Sequence, residues 1–478
     1  MGRAGTQTIM KKEQLFQNVP GLALGLVVTI LGAAATLAQE DTNTSKSCFR
    51  GWLEQDYMLG DWGGLRTKLS NHGVDFEFYY AASLPDNLAG GLRPGGVYQG
   101  ALLMTMDLNS EKLAGYEGGT FHVSGLWLNG QQSFSDRYVG DLNKVNMLDF
   151  PNAARLWELW YQQKFFDGKL AIKLGELSVD RDFIVPEYYN SLGSFTLLNQ
   201  TFFYPTLAFN LYGVPGLPSN HYGLPATPNA APGAVLRWDP VPQFYGQVGV
   251  YNGSPDQSYS GTTFNLSEAD GALAYFEAGY RLNPGTNDTG LAGSYKLGGY
   301  YHTGEFGDVY DGISAAFLSS AGLPASTVRD HSGNYGVYLL AEQQLYREKE
   351  KADPAKQGLV GFFRVEAAPP DRNLTEFGVD GGLVYKGLIP GRDWDTLALA
   401  ASYLEMSSDI RQAQREANAL APGTFVVSDY EAVIELSYKL QMTAWWTVQA
   451  SLQRVFHPGG SSANPNATVF ILQTTLRF

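Results

Sequence analysis

The stretch YEAVIELSYKL, Tyr430–Leu440, decides the fold. In an extended chain Tyr430, Ala432, Ile434, Leu436 and Tyr438 fall on one face, while Glu431, Glu435, Ser437 and Lys439 fall on the other. Side chains that change character at every step have the period of a β-strand with one apolar and one wet face. Such a strand fits a sandwich with its polar face in water, or a barrel with its apolar face in lipid. Tyrosines at both ends of the apolar face favour the barrel, because amphipathic rings collect where hydrocarbon meets water.

The same alternation recurs outward from there. In VDFEFYYAA, Val74, Phe76, Phe78 and Tyr80 oppose Asp75, Glu77 and Tyr79. In WTVQASLQ, Trp446, Val448, Ala450 and Leu452 oppose Thr447, Gln449, Ser451 and Gln453. The closing TVFILQTTLRF sets Phe470, Leu472, Leu476 and Phe478 against Gln473, Thr475 and Arg477, with Thr474 interrupting. About sixteen such segments occur, beginning near residues 74, 100, 119, 155, 169, 233, 244, 271, 292, 333, 357, 376, 395, 429, 444 and 467. Strands of roughly 10 residues tilted by about 40° make a wall ~25 Å tall, the height of an outer-membrane apolar belt. The links between segments also alternate. Even-to-odd links are brief: KFFDGK carries an Asp167–Gly168 hairpin turn, and DPVPQ and LQMTA join later pairs. Odd-to-even links run long, at 177–232, 303–332 and 406–428, and LYREKEKADPAKQ is the charged exception on the short side. The reading is therefore an all-β fold, a transmembrane antiparallel β-barrel of about sixteen strands over residues 74–478.

Composition agrees with one large closed architecture. Of 478 residues 55 are Gly and 28 are Tyr, charged residues make up only 17%, and the net charge is -14. An acidic chain without Lys/Arg clusters excludes nucleic acid as a partner. The one long apolar run, Gly21–Ala38, follows Lys11 and Lys12 and ends in small residues, so residues 1–38 are expected to be a signal peptide cleaved after Ala38. Residues 39–73 are expected to form a linker and a short N-terminal helix over Asp61–Asn71, capped by Asp61 and stopped at Gly73, with Leu65 and Leu69 one turn apart. The single cysteine, Cys48, permits neither an internal disulfide nor a cysteine zinc site.

GDWGGLRTKLSNHGVDF, LWELWYQQKFFDGKLAIKLGE, GGLVYKG and WWTVQASLQRVFHPGG, in that order from about residue 57 to the end, resemble the carbohydrate-selective outer-membrane porins of the OprB-like family. The resemblance implies a sixteen-stranded barrel of the Gram-negative outer membrane that passes mono- and disaccharides by passive diffusion. It also implies that Phe478 is an assembly signal read by the barrel-assembly machinery, with the closing strand paired to the first near residue 74. Some relatives carry a cysteine pair in the loop after the fifth strand, and 177–232 has none.

A pore needs a polar lumen and a constriction. Parity places Asp75, Glu77, Glu158, Gln162, Lys173, Glu277, Lys296, Arg364, Glu366, Glu431, Glu435 and Lys439 inside. The long link within 177–232 is the candidate constriction loop. Its Asp180, Arg181 and Asp182 offer partners for sugar hydroxyls, and Phe202, Phe203 and Tyr204 offer flat apolar faces. The plainer alternatives are a charged turn that pairs with itself or the wall, and ordinary loop packing. Arg155 and Glu158 join the candidates if LWELWYQQ is a strand, although Leu156, Leu159, Trp160 and Gln163 also fit a helical face. The acidic excess predicts weak cation selectivity and a current partly blocked by sugars. The six His are scattered and no P-loop, G-x-G-x-x-G or G-x-S-x-G occurs, so no enzyme, cofactor or metal is expected. Two other classes stay open at this point: a secreted soluble all-β carbohydrate-binding protein, and an outer-membrane glycan hydrolase. The expected partners are permeating sugars, outer-membrane lipid and the assembly machinery, with the chain a monomer or a homotrimer.

Overall fold

The structure, a computed structural model, describes residues 48–189, 195–203, 211, 223–285, 288–348 and 357–478. Sixteen long strands run β1 Val74–Ala89, β2 Gln99–Asn109, β3 Gly119–Gly130, β4 Ala153–Phe165, β5 Leu170–Leu177, β6 Ala231–Val241, β7 Phe244–Asn252 and β8 Ala272–Leu282. They continue as β9 Gly293–Gly307, β10 Asp330–Arg347, β11 Gly358–Ala367, β12 Thr375–Lys386, β13 Thr396–Met406, β14 Tyr430–Thr443, β15 Trp446–Phe456 and β16 Ala467–Arg477. Each pairs antiparallel with its neighbours in sequence, and a two-residue pairing at Gly95–Gly96 sits in the first link. β1 also pairs with β16, from Tyr79 opposite Arg477 to Ala89 opposite Thr468, so the sheet closes. Closure leaves no unpaired edge for lipid to meet.

The alternation read from sequence is the alternation of the wall. On β6, β7 and β8 the residues Leu236, Val248 and Phe276 lie side by side and face outward, Phe276 being 52% exposed. One step along each strand, Arg237, Gln247 and Glu277 lie side by side facing in, linked by 3.0 Å hydrogen bonds from Arg237 to Gln247 and from Gln247 to Glu277. Aromatic contacts run along both rims. Phe244, Tyr280 and Tyr295 meet near the short turns, and Tyr403 and Tyr430 meet at the opposite end. These are the girdles an interfacial barrel requires.

Both ends of the described chain lie on the short-turn side. The links there include 166–169, 242–243 and 444–445, against 131–152, 178–230, 308–329 and 407–429 on the other side. The first hairpin turn differs in detail from the expected Asp167–Gly168 pair: Phe166 and Asp167 are its central residues, both at φ 55°, and Gly168 follows at φ 83°. Ahead of β1, α1 (Cys48–Leu53) precedes a 3-10 turn over Trp62–Gly64 and α2 (Leu65–Asn71), so the predicted single helix is two elements, with a further helix before it. Asp61 Oδ1 accepts hydrogen bonds from the backbone N–H (2.8 Å) and hydroxyl (2.9 Å) of Thr67, and Gly73 takes φ 87° after the helix. This arm lies against the seam. Arg66 donates to the carbonyls of Phe76 (2.7 Å) and Phe478 (2.6 Å), while Phe478 N–H donates to Phe78 (2.9 Å).

The sequence reading left two long links without structure that contain helices. One is α4 (Val309–Ser320), after α3 (Ser110–Ala114) in a short link, and the other is α5 (Ser408–Leu420). Asp308 and Ser407 cap them by accepting N–H groups of the first turn.

Candidate functional site

The inner wall does more than solvate a channel. The described parts of the link between β5 and β6 pass inside the barrel, and the wall satisfies their backbone along the way. Glu277 of β8 accepts the N–H of Ile184 (2.9 Å), and Glu342 of β10 accepts those of Glu187 (2.7 Å) and Tyr188 (2.8 Å). Glu435 of β14 accepts Leu198 (2.7 Å), Asn199 (2.9 Å) and the Ser451 hydroxyl (2.9 Å). Wall donors take carbonyls in turn: Lys296 that of Val185, Arg364 that of Thr201, and Gln449 that of Thr196 (3.0 Å). A peptide segment removed from water must have its N–H and C=O groups paired, and charged partners pair them most strongly. Of the residues that parity put in the lumen, Glu277, Lys296, Arg364 and Glu435 therefore serve as fastenings for an inward segment. The link between β3 and β4 is held likewise, with Glu431 accepting from Leu142 (2.8 Å) and Asn143 (2.9 Å), and from Gly459 (2.8 Å) of the link between β15 and β16.

LWELWYQQ is strand, within β4, and it carries a feature that alternation cannot show. Arg155 and Glu158 differ in parity, yet both are buried on the inner side. The register steps from Ser124 opposite Glu158 to Gly125 opposite Leu156, so Trp157 is an extra residue, a β-bulge that resets the alternation. Arg155 then donates to Asn229 (2.7 Å) and to the Asp256 carbonyl. Glu158 lies 3.7 Å from Arg181 and 4.0 Å from His122.

The predicted loop residues divide. Asp180 is buried and accepts from Ser178 Oγ (2.5 Å) and from Thr227 N–H (3.2 Å) and Oγ (2.6 Å), so it ties the two ends of the link together and does not face a solute. Asp182 pairs with Lys173, whose ammonium lies 4.7 Å from the centroid of Trp160. Phe202 and Phe203 were expected to offer open faces and do not. They are 0% and 6% exposed, Phe202 packing edge-on against Phe362 (6.3 Å) and Phe203 against Phe195 (5.3 Å). Burial of apolar rings holds the inward segment to the wall more effectively than exposure to water in a pore would. Tyr204 lies outside the described residues.

Arg181, Asp182 and Lys173 do come together, around a cavity of about 250 Å³ that Glu187, Arg237, Tyr245, Gln247, Glu277, Arg281 and Lys296 also line. Tyr245 crosses the inner wall because Gly279 beside it has no side chain; a Cβ there would lie 2.0 Å from the ring. The guanidinium carbons of Arg237 and Arg281 stand 3.9 and 4.9 Å from its centroid. Arg237 bonds Asp239 (2.7 Å), Arg281 bonds Glu187 (3.2 Å) and approaches Asp239 (3.4 Å), and Lys296 lies 3.3 Å from Glu187. Burial works to raise the pKa of Glu187, but Lys296 and Arg281 outweigh it and hold the carboxyl below its usual 4.5. Fixed donors alternate with fixed acceptors here, as hydroxyl-rich solutes require. The cluster Arg237–Tyr245–Arg281 was not singled out from sequence, although the alternation in RWDPVPQFYGQ carries the signal for Arg237 and Tyr245. The acidic excess of the chain is not repeated in this lining, where Lys173, Arg181, Arg237, Arg281 and Lys296 face Asp182, Glu187 and Glu277. Among the described residues no three His, Cys, Asp or Glu side chains gather as a metal-binding group.

A family model described as carbohydrate-selective porin, OprB family, matches residues 93–478. Porin B of Pseudomonas aeruginosa is 28% identical over 476 residues, spanning 96% of this chain and 97% of its own. The putative porin QuiX of Acinetobacter baylyi is 24% identical over 477 residues, 95% of this chain and 99% of its own. The high-pH structure of Pseudomonas putida OprB superposes with a TM-score of 0.76 at 26% identity, covering 89% of this chain and 99% of that one.

Proposed function

This chain belongs to the OprB family of carbohydrate-selective porins, and we infer that its barrel passes sugars and other small solutes by passive diffusion across the outer membrane, through the cavity bounded by Arg181, Asp182, Glu187, Arg237, Arg281 and Lys296. The observation that carries this reading is the pair of guanidinium groups stacked on Tyr245 and tied to Asp239 and Glu187. Groups fixed in this way present donors and acceptors without reorganising for each passing solute. A sugar then exchanges hydrogen bonds with water for bonds of similar strength, which keeps residence short and flux high. Family and fold are those of a channel rather than an enzyme.

The finer assignments follow from the same reading. Residues 1–38 are a leader removed after Ala38, residues 39–73 are a linker and short helical segment ahead of the barrel, and the constriction lies within 177–232. The assembly machinery reads Phe478. Lining charges are largely paired within the protein, which supports weak ion selectivity in place of the cation preference suggested by net charge.

Planar-bilayer recording tests the inference. Added glucose or maltose is expected to reduce the ion current in a concentration-dependent way, and liposomes bearing the protein to swell in isotonic sugar. A current indifferent to sugar, with no swelling, would remove the proposal.

A further inference from the structure

Cations and carboxylates nearly balance around the cavity once Glu158 and Asp239, just behind its lining, are included. What it selects therefore depends on which groups are still free to bond. Each lining carboxylate is engaged. Asp182 pairs with Lys173, and its other oxygen is buried; Glu187 holds Arg281 and Lys296. Asp239 takes two hydrogen bonds from Arg237 (2.7 and 3.1 Å). Glu277 accepts from the hydroxyls of Tyr245 (2.7 Å) and Tyr338 (2.8 Å), from Gln247 (3.0 Å) and from the Ile184 N–H (2.9 Å). One cation differs. Among the described residues the Arg181 guanidinium makes no hydrogen bond, and its ion-pair partner is the buried Glu158 at 3.7 Å, beyond hydrogen-bond distance. Its side chain is 34% exposed, more than that of Lys173 (11%), Arg237 (29%), Arg281 (24%) or Lys296 (4%).

We propose that the cavity prefers polyhydroxylated carboxylates, the sugar acids, with the carboxylate seated on Arg181 and the hydroxyls on the Arg237–Tyr245–Arg281 stack of the same cavity. A guanidinium is a rigid plane of N–H donors whose fork matches a carboxylate with two parallel bonds. Left unspent where every acid already holds a partner, it favours a solute that brings its own negative charge. A neutral sugar meets the same hydroxyl partners but gains no charge-assisted bond. Glu158, 3.7 Å from the guanidinium, repels the seated carboxylate and so keeps residence short, as flux through a channel demands. The proposal rests on the channel reading above and names a preferred solute class within it.

Planar-bilayer recording at constant ionic strength tests it, with potassium gluconate as the sugar acid. Glucose supplies hydroxyls without the charge, and potassium acetate the charge without the hydroxyls. Gluconate is expected to half-block wild type at a concentration about tenfold below that of glucose, with acetate weaker than gluconate. That advantage should shrink as KCl rises from about 0.1 M to about 1 M and the screening length falls from about 10 Å to about 3 Å. R181Q should weaken gluconate block about tenfold more than glucose block, and R181K should restore part of the difference. Should R181Q fail to insert, the wild-type ratio and its salt dependence decide alone. Block by glucose with no advantage for gluconate would overturn this inference and leave the channel reading standing, as would acetate as effective as gluconate. An unaltered gluconate-to-glucose ratio in R181Q would also overturn it. Block by none of the three would remove the channel reading and this inference together.

Discussion

Replacing Glu435 with Ala removes one carboxylate that holds two consecutive backbone amides of the inward segment, Leu198 and Asn199, and the hydroxyl of Ser451. All three donors are buried. Hydrogen bonds to a charged acceptor each contribute roughly 1.5–3 kcal/mol, and water entering the vacated space recovers part of the loss, so about 3 kcal/mol of local stability should disappear. The loss is local because the ladders β13–β14 and β14–β15 do not pass through that side chain. Hydrogen exchange at Leu198 and Asn199 should therefore accelerate about a hundredfold, at ~1.4 kcal/mol per decade. The unfolding midpoint of the barrel should move by only a few degrees. Single-channel traces should gain open-channel noise, because a loosened 195–203 segment samples the lumen. E435Q, which keeps one accepting oxygen, should fall between wild type and E435A. Unchanged exchange at both amides in E435A, with unchanged current noise, would refute the idea that wall carboxylates fasten the segment.

Three further outcomes follow from other contacts. R66A deletes the bonds to Phe76 and Phe478, so the barrel should unfold at a temperature about 2–5 °C lower, while conductance stays the same; heat-modified mobility on gels reads the first and bilayer recording the second. R281A leaves Glu187 and Asp239 without one cation each, so the reversal potential in a KCl gradient should move toward cation selectivity, and sugar block should weaken. For pH, the depressed pKa of Glu187 means that its ion-pair contribution is complete above 4.5 and is lost as pH falls through the lowered value. The difference in conductance between wild type and E187Q should then be flat from neutral pH down to 4.5 and close only in more acidic solution, and a transition near neutrality assigned to Glu187 would contradict the pairing with Lys296 and Arg281.

The barrel was legible because its physics has a short period. Lipid outside and polar groups inside force neighbours such as Ile434 and Glu435 onto opposite faces, and that rule needs no knowledge of distant residues. Where the rule breaks, sequence gives no notice. The extra residue at Trp157 turns Arg155 and Glu158 to the same side, and only the register against β3 reveals it. The helices α4 and α5 were readable in principle from the caps Asp308 and Ser407, but counting strands treats every link as blank chain.

The harder step was from facing inward to facing a solute. Parity assigns Glu277, Glu342 and Glu435 to the same side of the wall as Arg237 and Arg281, and nothing local separates the two groups. Their roles depend on which inner side chains the inward segment covers. Glu435 meets Leu198 and Asn199 across more than two hundred residues of chain, whereas Arg281 meets Glu187 at the edge of an open cavity. The aromatic residues of the link misled for the same reason. A ring near a pore can serve a sugar or serve packing, and Phe202 and Phe203 were drawn to Phe362 and Phe195 because a segment hung inside a barrel needs apolar anchors as well as hydrogen bonds. A carboxylate inside such a wall therefore contributes least to selectivity where peptide N–H groups have taken both of its oxygens, as in Glu342 and Glu435. Glu187 shows the distinction within one residue: its backbone N–H is bound by Glu342, and its side chain is left to hold Arg281 and Lys296 at the cavity.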